Sequence, residues 1–177
     1  PTPTISIFSM NEETSVPFPE FWNWVQALPL SEYIGFTWWF PFLESLHVLG
    51  VGLVVGSILM VDLRLLGKTA LSVPASRMTR EMIRWTWGAF VLAVITGTGM
   101  FMTRAGAYIE NPAFQIKLML LLLAGVNMAW FQFRTLRGVE EWDTAPAPPP
   151  AARVAGAASL LLWIGVIFAG RWVGHII

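Results

Sequence analysis

The chain has 177 residues, of which 55% are hydrophobic and only 12% are charged, so it is too apolar for an ordinary soluble domain. Its formal net charge is +0 and its basic residues form no dense run, which excludes a nucleic-acid-binding surface. Cysteine is absent, which excludes disulfides, thiolate zinc sites and iron–sulfur clusters.

The first 37 residues are predicted to lie outside the hydrocarbon, as a surface segment. The opening PTPTISIFSMNEETSVP has neither a basic stretch nor an apolar core, so we expect no cleavable signal peptide. Further along, Phe21, Trp24, Val25 and Leu28 recur at helical spacing between two prolines. This pattern predicts a short amphipathic helix that lies in the membrane interface.

Four later stretches are long and apolar enough to cross about 30 Å of hydrocarbon as helices. They cover approximately residues 40–63, 85–103, 113–133 and 154–174. The Pro-rich segment 138–152 is expected to be the loop before the fourth span, and its TAPAPPP run cannot be helical. The fold prediction is therefore an all-α integral membrane four-helix bundle in one domain, residues 1–177.

The distribution of basic residues predicts the orientation of these spans. Most of them flank the first and third connections: Arg64, Lys68, Arg77, Arg80, Arg84, Arg134, Arg137 and Arg153. Only Arg104 and Lys117 flank the second connection. By the positive-inside rule both termini lie outside, so we expect a multi-pass protein of the bacterial inner membrane with periplasmic termini.

Glu44 and His47 are the leading candidates for chemistry. Ionisable groups inside hydrocarbon are costly and normally face the bundle interior. Their i, i+3 spacing puts both on one face in the outer third of the first span, where a carboxylate can orient an imidazole or join it in binding a metal. A glutamate–histidine hydrogen bond that only pins helix packing is an equal alternative.

Further ionisable residues are predicted at the same depth, in the outer half of the bundle. Lys117 either snorkels outward or points inward towards Glu44 and His47. Arg104 closes the second span at that level, and Arg171 lies near the outer end of the fourth span. The inner halves of the spans read as nearly all apolar, with Asn127 as the main exception, and Asp62 is interpreted as an anchoring residue.

The histidines limit the type of cofactor. His175 lies near the membrane edge while His47 lies several residues inside, so a simple bis-histidine haem is disfavoured. A site with one histidine and one methionine as ligands remains possible. Met100 lies in the outer part of the second span, and its thioether sulfur suits copper or haem iron. Packing is the alternative role for Met100.

Several sequence words resemble an uncharacterised bacterial family of four-helix inner-membrane proteins. They are FPFLESLHVLGVGLVVGSILMVDLRLLG, NPAFQIKLMLLLLAGVNMAWF, VEEWD and AARVAGAASLLLWIGVIFAGRWVG. More distantly, His47 and Lys117 resemble a histidine and a lysine of the copper-resistance D family and of the bacterial four-helix protoporphyrinogen oxidase. The resemblance to that oxidase implies a haem-ligand role for His47 and a supporting role for Lys117.

The leading hypothesis is a haem b or metal site in the outer half that serves electron transfer or metal handling. Its candidate residues are His47, Glu44, Lys117 and Arg171 for a cofactor, and His47, Glu44 and Met100 for a metal such as copper. One alternative is a non-catalytic membrane subunit without cofactor that docks a protein partner or a second copy. The other is a copper or small-solute transporter. No catalytic residue is assigned, and the sequence favours a role other than that of an enzyme.

Overall fold

A computed structural model describes residues 17–69, 72–145 and 147–176 of the chain. The helices in these ranges are α1 (Pro19–Gln26), α2 (Pro29–Gly35), α3 (Trp39–Leu65), α4 (Ala75–Thr103), α5 (Ala105–Glu110), α6 (Pro112–Trp130) and α7 (Pro150–Ile176). A π-helical turn at Phe131–Thr135 and a 3-10 helix at Leu136–Glu141 continue from the end of α6. The part of the chain described here contains no β-strand.

Four of these helices, α3, α4, α6 and α7, are long and apolar enough to cross a membrane. The prediction of an all-α four-helix membrane bundle is therefore confirmed. We refer to the end of the bundle where α3 begins and α7 ends as the terminal end. The opposite end, which carries the α3–α4 and α6–α7 connections, is the loop end.

The four long helices pack unequally. Helix α3 packs against α4 and α7, and α6 packs against α7, but α4 and α6 share no extended contact in the described part of the chain. At the terminal end Phe101 of α4 stacks on Phe114 of α6, with ring centroids 5.6 Å apart. The bundle is therefore an incomplete ring with a gap between α4 and α6.

Small residues allow the closest helix contacts in the described part of the chain. A Cβ atom on Gly50 of α3 would lie 3.3 Å from the carbonyl oxygen of Ala89 in α4. A Cβ on Gly156 of α7 would lie 3.1 Å from the carbonyl oxygen of Asp62 in α3. Both contacts are with backbone, so the helix axes cannot stay this close with a larger side chain.

Helix α4 begins at Ala75, well before the predicted start near residue 85, and the basic stretch forms its first turns. Asp143, from the connection before α7, caps this helix. Its carboxylate accepts hydrogen bonds from the Ser76 amide at 2.7 Å and from the Ser76 hydroxyl at 2.6 Å. The cap is supplied by a residue distant in sequence, so no local pattern marks the helix start.

The described part of the surface segment, from residue 17 onward, contains two short helices where one was predicted, because Pro29 ends the first and begins the second. Phe21 and Trp24 are exposed while Val25 is buried, as expected for an amphipathic helix. The Ser31 hydroxyl donates to the Val25 carbonyl at 2.8 Å and joins the two helices. Helices α1 and α2 pack on α5 and on the end of α4, so they cover the terminal end.

Candidate functional site

His47 joins α3 to α4 inside the terminal half of the bundle. Its Nδ1 lies 2.8 Å from the Ala93 carbonyl oxygen and 3.2 Å from the Thr96 hydroxyl. Because a carbonyl oxygen can only accept, Nδ1 carries the proton in this arrangement. Nε2, which has no hydrogen bond to the described residues, then keeps its lone pair.

Gly97 provides the space for the imidazole ring. A Cβ atom at this position would lie 3.0 Å from Cε1 and 3.3 Å from Nδ1 of His47, closer than side chains normally approach. Thr96 is buried, and its hydroxyl also donates to the Leu92 carbonyl at 2.8 Å. The ring is therefore held on one side by a hydrogen bond and on another by close packing.

Lys117 points into the bundle, which answers the question that the sequence leaves open. Its Cε and Nζ would each lie 3.7 Å from a Cβ on Gly170, so the side chain runs along α7. The ammonium also lies within electrostatic range of the His47 ring. Three helices thus contribute to this region: α3 with His47, α4 with Ala93 and α6 with Lys117.

Glu44 does not orient His47, and this part of the prediction is wrong. The carboxylate is exposed, and the orienting group of the imidazole is the Ala93 carbonyl. Glu44 and Arg104 lie within electrostatic range of Tyr108 in α5, outside the spans. Burial raises the pKa of the Tyr108 hydroxyl, Arg104 lowers it and Glu44 raises it further.

Of the ionisable residues predicted to form an outer cluster, only His47 and Lys117 therefore lie together inside the bundle. Arg104, Arg171 and His175 are exposed at the terminal end. Met100 is partly buried and follows Thr96 by one helical turn, on the same face of α4. Among the described residues no three His, Cys, Asp or Glu side chains are grouped so that they could hold a metal ion.

The loop half of the bundle contains several polar side chains in its interior, of which only Asn127 was named as an interior exception from the sequence. The Ser57 hydroxyl lies 2.7 Å from the Thr86 hydroxyl and links α3 to α4. The Asn127 amide donates to the Ala155 carbonyl at 3.0 Å and links α6 to α7. Asp62 is buried, with the Ser159 hydroxyl beside its carboxylate. Asp62 is thus an interior residue rather than an anchor at the membrane surface.

Arg64 is also buried, at the loop end. Its Nε donates to the Val73 carbonyl at 3.0 Å, and its Nη2 donates to the Asp143 carbonyl at 2.9 Å. The guanidinium therefore fastens both connections of the loop end to α3. The sequence indicated topology and anchoring as the role of Arg64, because nothing in the local pattern shows that its guanidinium donates hydrogen bonds to distant carbonyls.

Beside Asp62 lies a cavity of about 170 Å³. Its walls come from all four long helices, and it occupies the gap between α4 and α6. The polar side chains in its lining are Asp62, Thr79, Thr86, Asn127, Gln132 and Ser159. Serine, threonine and a single aspartate scattered over several helices give no recognisable motif, which explains why the sequence did not reveal this cavity.

A family model described as a family of unknown function, DUF6644, matches residues 21–176. The match covers the surface helices and all four spans. No curated protein matches the chain. No solved structure matches it either.

Proposed function

The chain belongs to the DUF6644 family of unknown function, and we propose that it is a membrane protein that binds haem b iron or copper through Nε2 of His47. The observation that carries the proposal is the hydrogen bond of 2.8 Å from Nδ1 to the Ala93 carbonyl. Metal-bound histidines almost always donate the other ring N–H to a carbonyl, a carboxylate or water. The bond fixes the tautomer and aims the remaining nitrogen.

The surroundings of His47 support this role. Gly97 packs against the imidazole ring, and Thr96 adds a second polar contact at Nδ1. A ligand whose rotation is blocked in this way needs no reorganisation when the metal binds. Lys117 supplies a positive charge within electrostatic range, which suits an anionic group such as a haem propionate.

The second ligand is proposed to be the Met100 thioether. It is partly buried and lies one turn from Thr96, towards the terminal end of α4. Imidazole with thioether is a donor set that suits both copper and haem iron. Glu44 and Arg171 are exposed, so we assign neither a direct role in metal binding.

A bound haem or copper ion in this position would serve electron transfer or metal handling. With the arginines concentrated at the loop end, we further propose that this end faces the cytoplasm. The His47 site then lies nearer the periplasmic face of a bacterial inner membrane.

The test is an absorption spectrum and elemental analysis of the purified full chain, with His47→Ala and His175→Ala as a matched pair. The chain has only these two histidines, and His175 is exposed at the terminal end. We expect iron with a Soret band, or copper, in the wild-type protein and in His175→Ala, and its loss in His47→Ala.

A loss of metal must be distinguished from a loss of folding, because the His47 side chain also links α3 to α4 by a hydrogen bond. The variant His47→Gln keeps a side-chain donor for the Ala93 carbonyl but has no imidazole nitrogen. We expect His47→Gln to keep its helix content by circular dichroism and to lose the metal. Equal metal content in His47→Gln and wild type, or none in either, would show that this site is not a metal site and would favour the non-catalytic subunit.

A further inference from the structure

The cavity in the loop half lies in the gap between α4 and α6. Its base is formed by α3 and α7, including Asp62 and Ser159, and its sides by α4 and α6. Gly125 of α6 lies in its lining and is exposed, so the cavity reaches the outer surface of the bundle. In a bilayer that surface meets lipid, and a molecule dissolved in the membrane can enter from the side.

Two buried polar atoms in this cavity have no partner. Asp62 is 4% exposed and Thr79 is 7% exposed. Neither Oδ2 of Asp62 nor Oγ1 of Thr79 has a hydrogen bond to any described residue. A buried polar group without a partner is costly, and the cost is greatest for a carboxylate. The two atoms come from facing helices, α3 and α4, and both residues line the same cavity.

The remaining polar groups near the cavity are largely occupied. Asn127 donates its amide to the Ala155 carbonyl. Ser57 and Thr86 are hydrogen-bonded to each other. Nε and Nη2 of Arg64 donate to the Val73 and Asp143 carbonyls, while its Nη1 is buried and has no hydrogen bond to the described residues; Arg64 does not line the cavity. Gln132 and Ser159 also line the cavity and bring an amide and a hydroxyl group. The unpartnered oxygens of Asp62 and Thr79 suit a ligand that donates hydrogen bonds.

The size and the lining of the cavity indicate a ligand with an aromatic ring. Its volume is about 170 Å³, and an apolar cavity of about 150 Å³ holds a benzene molecule. Aromatic side chains line it on three helices: Trp87, Phe90, Phe131 and Trp163 (the π-turn after α6 supplies Phe131). Such walls favour offset stacking or edge-to-face contact with an aromatic ring.

We propose that this cavity binds the hydroxylated ring of a membrane-dissolved amphiphile, the chemistry of a quinol head group. One ring hydroxyl donates to Oδ2 of Asp62, and the hydroxyl of Thr79 bonds a second oxygen of the ring. The tail leaves through the gap beside Gly125 into the bilayer. The inference is independent of His47, because the cavity lies in the other half of the bundle.

Other candidate ligands fit the polar groups and the aromatic walls of the cavity less completely. A lipid acyl chain fills apolar space but offers no partner to Asp62 or Thr79. An alkylammonium ion has three N–H donors and can bond both Asp62 and Thr79, but its alkyl chain does not make the ring contacts that the aromatic walls favour. The quinol head group satisfies both free oxygens and the aromatic walls together.

The test is equilibrium dialysis of a short-chain benzoquinol, under argon, against the purified full chain in detergent. The key variant is Gly125→Leu, because Gly125 lines the cavity and a Cβ atom there meets no atom within 4 Å, so the larger side chain can be accommodated by the fold. Its matched control is Gly52→Leu on α3, which is equally open but lies outside the cavity lining. We expect Gly125→Leu to weaken binding at least about tenfold and Gly52→Leu to leave it unchanged.

A second variant addresses the hydrogen bond. Asp62→Asn keeps the shape of the side chain and removes its charge, so we expect binding of the benzoquinol to fall about tenfold. Dodecane and dodecylammonium serve as the acyl-chain and cation probes in the same assay. Binding of the benzoquinol that is unchanged in both variants, or tighter binding of either competing probe, would overturn the proposal. Thermal unfolding followed by circular dichroism checks that each variant remains folded.

Discussion

At the scale of single residues, one hydrogen bond decides which nitrogen of His47 is free. The Ala93 carbonyl accepts a hydrogen bond from Nδ1–H, and Gly97 leaves just enough room for the ring. The Ala93 contact is made by a backbone carbonyl, and Gly97 has no side chain, so neither contact can be recognised from residue type in the sequence. The position of His47 inside the bundle was therefore predictable, while its orienting group was not, and Glu44 was the wrong choice for that group.

The packing of His47 predicts a sharp difference between two glycines of α4. A side chain at Gly97 meets the imidazole, whereas one at Gly88 meets no atom within 4 Å. We expect Gly97→Leu to destabilise the protein by about 1–3 kcal/mol through overpacking, and Gly88→Leu to have no such effect. Thermal unfolding in detergent measures the difference. Equal stability of the two variants would mean that the ring is not confined by Gly97.

Asp143 gives a prediction about pH. Desolvation disfavours its charge, but hydrogen bonds from the Ser76 hydroxyl and amide, with the Arg64 charge, outweigh it and hold the pKa of this carboxyl below its ordinary value. A pKa that is lower in the folded state adds stability that is present above the unfolded pKa and disappears as the pH falls through the folded pKa. The stabilisation should therefore fade below about pH 4.

The variant Asp143→Asn tests this account of the cap. We expect it to cost about 1 kcal/mol at neutral pH and to flatten the loss of stability on acidification. Glu141→Gln is the matched control, since Glu141 is an exposed acid two positions earlier. Unfolding curves at pH 7 and pH 3 supply the comparison. A steeper acid dependence in Asp143→Asn than in wild type would contradict the assignment.

At the scale of the elements, the ends of α6 and α7 are fastened together by Asn111. Its side-chain oxygen accepts from the Ala113 amide at 2.9 Å, and its side-chain nitrogen donates to the Val173 carbonyl at 3.2 Å. Asn-Pro predicts a helix start from the sequence, and α6 does begin at Pro112. The bond to α7 needed the structure, because it joins residues far apart in the chain.

Loss of Asn111 should therefore weaken both the helix start and the α6–α7 contact. We expect Asn111→Ala to destabilise the protein by about 1–2 kcal/mol. Asn111→Asp keeps the capping oxygen and removes the donor to Val173, so its cost should isolate the interhelical bond. Hydrogen exchange at the start of α6 measures the effect on the cap. Unchanged protection there in Asn111→Ala would refute the capping role.

The number of spans and the approximate position of each were predictable from hydropathy alone, whereas the early start of α4 and the arrangement of the helices were not. The gap between α4 and α6 depends on which pairs of helices pack closely through small residues. Gly50 allows α3 to pack against α4, and Gly156 allows α7 to pack against α3. Regularly spaced small residues on every span do not say which partner each one meets. The cavity beside Asp62 results from this choice of partners.

At the scale of the whole molecule, the absence of cysteine makes the orientation directly measurable. Single cysteines at Glu110, at the terminal end, and at Thr144, at the loop end, both replace exposed residues. We expect a membrane-impermeant maleimide to label Glu110→Cys in intact cells, and to label Thr144→Cys only after the membrane is broken. The reverse pattern would place the loop end outside.

Metal binding at His47 is the function that we propose for the molecule. Its most direct test is titration of the metal-free full chain with haem and, separately, with Cu(I), in wild type, His47→Gln and His175→Ala. We expect saturation at about one equivalent of either haem or Cu(I) in wild type and His175→Ala, and no saturable binding in His47→Gln. Identical titration curves for wild type and His47→Gln would contradict it.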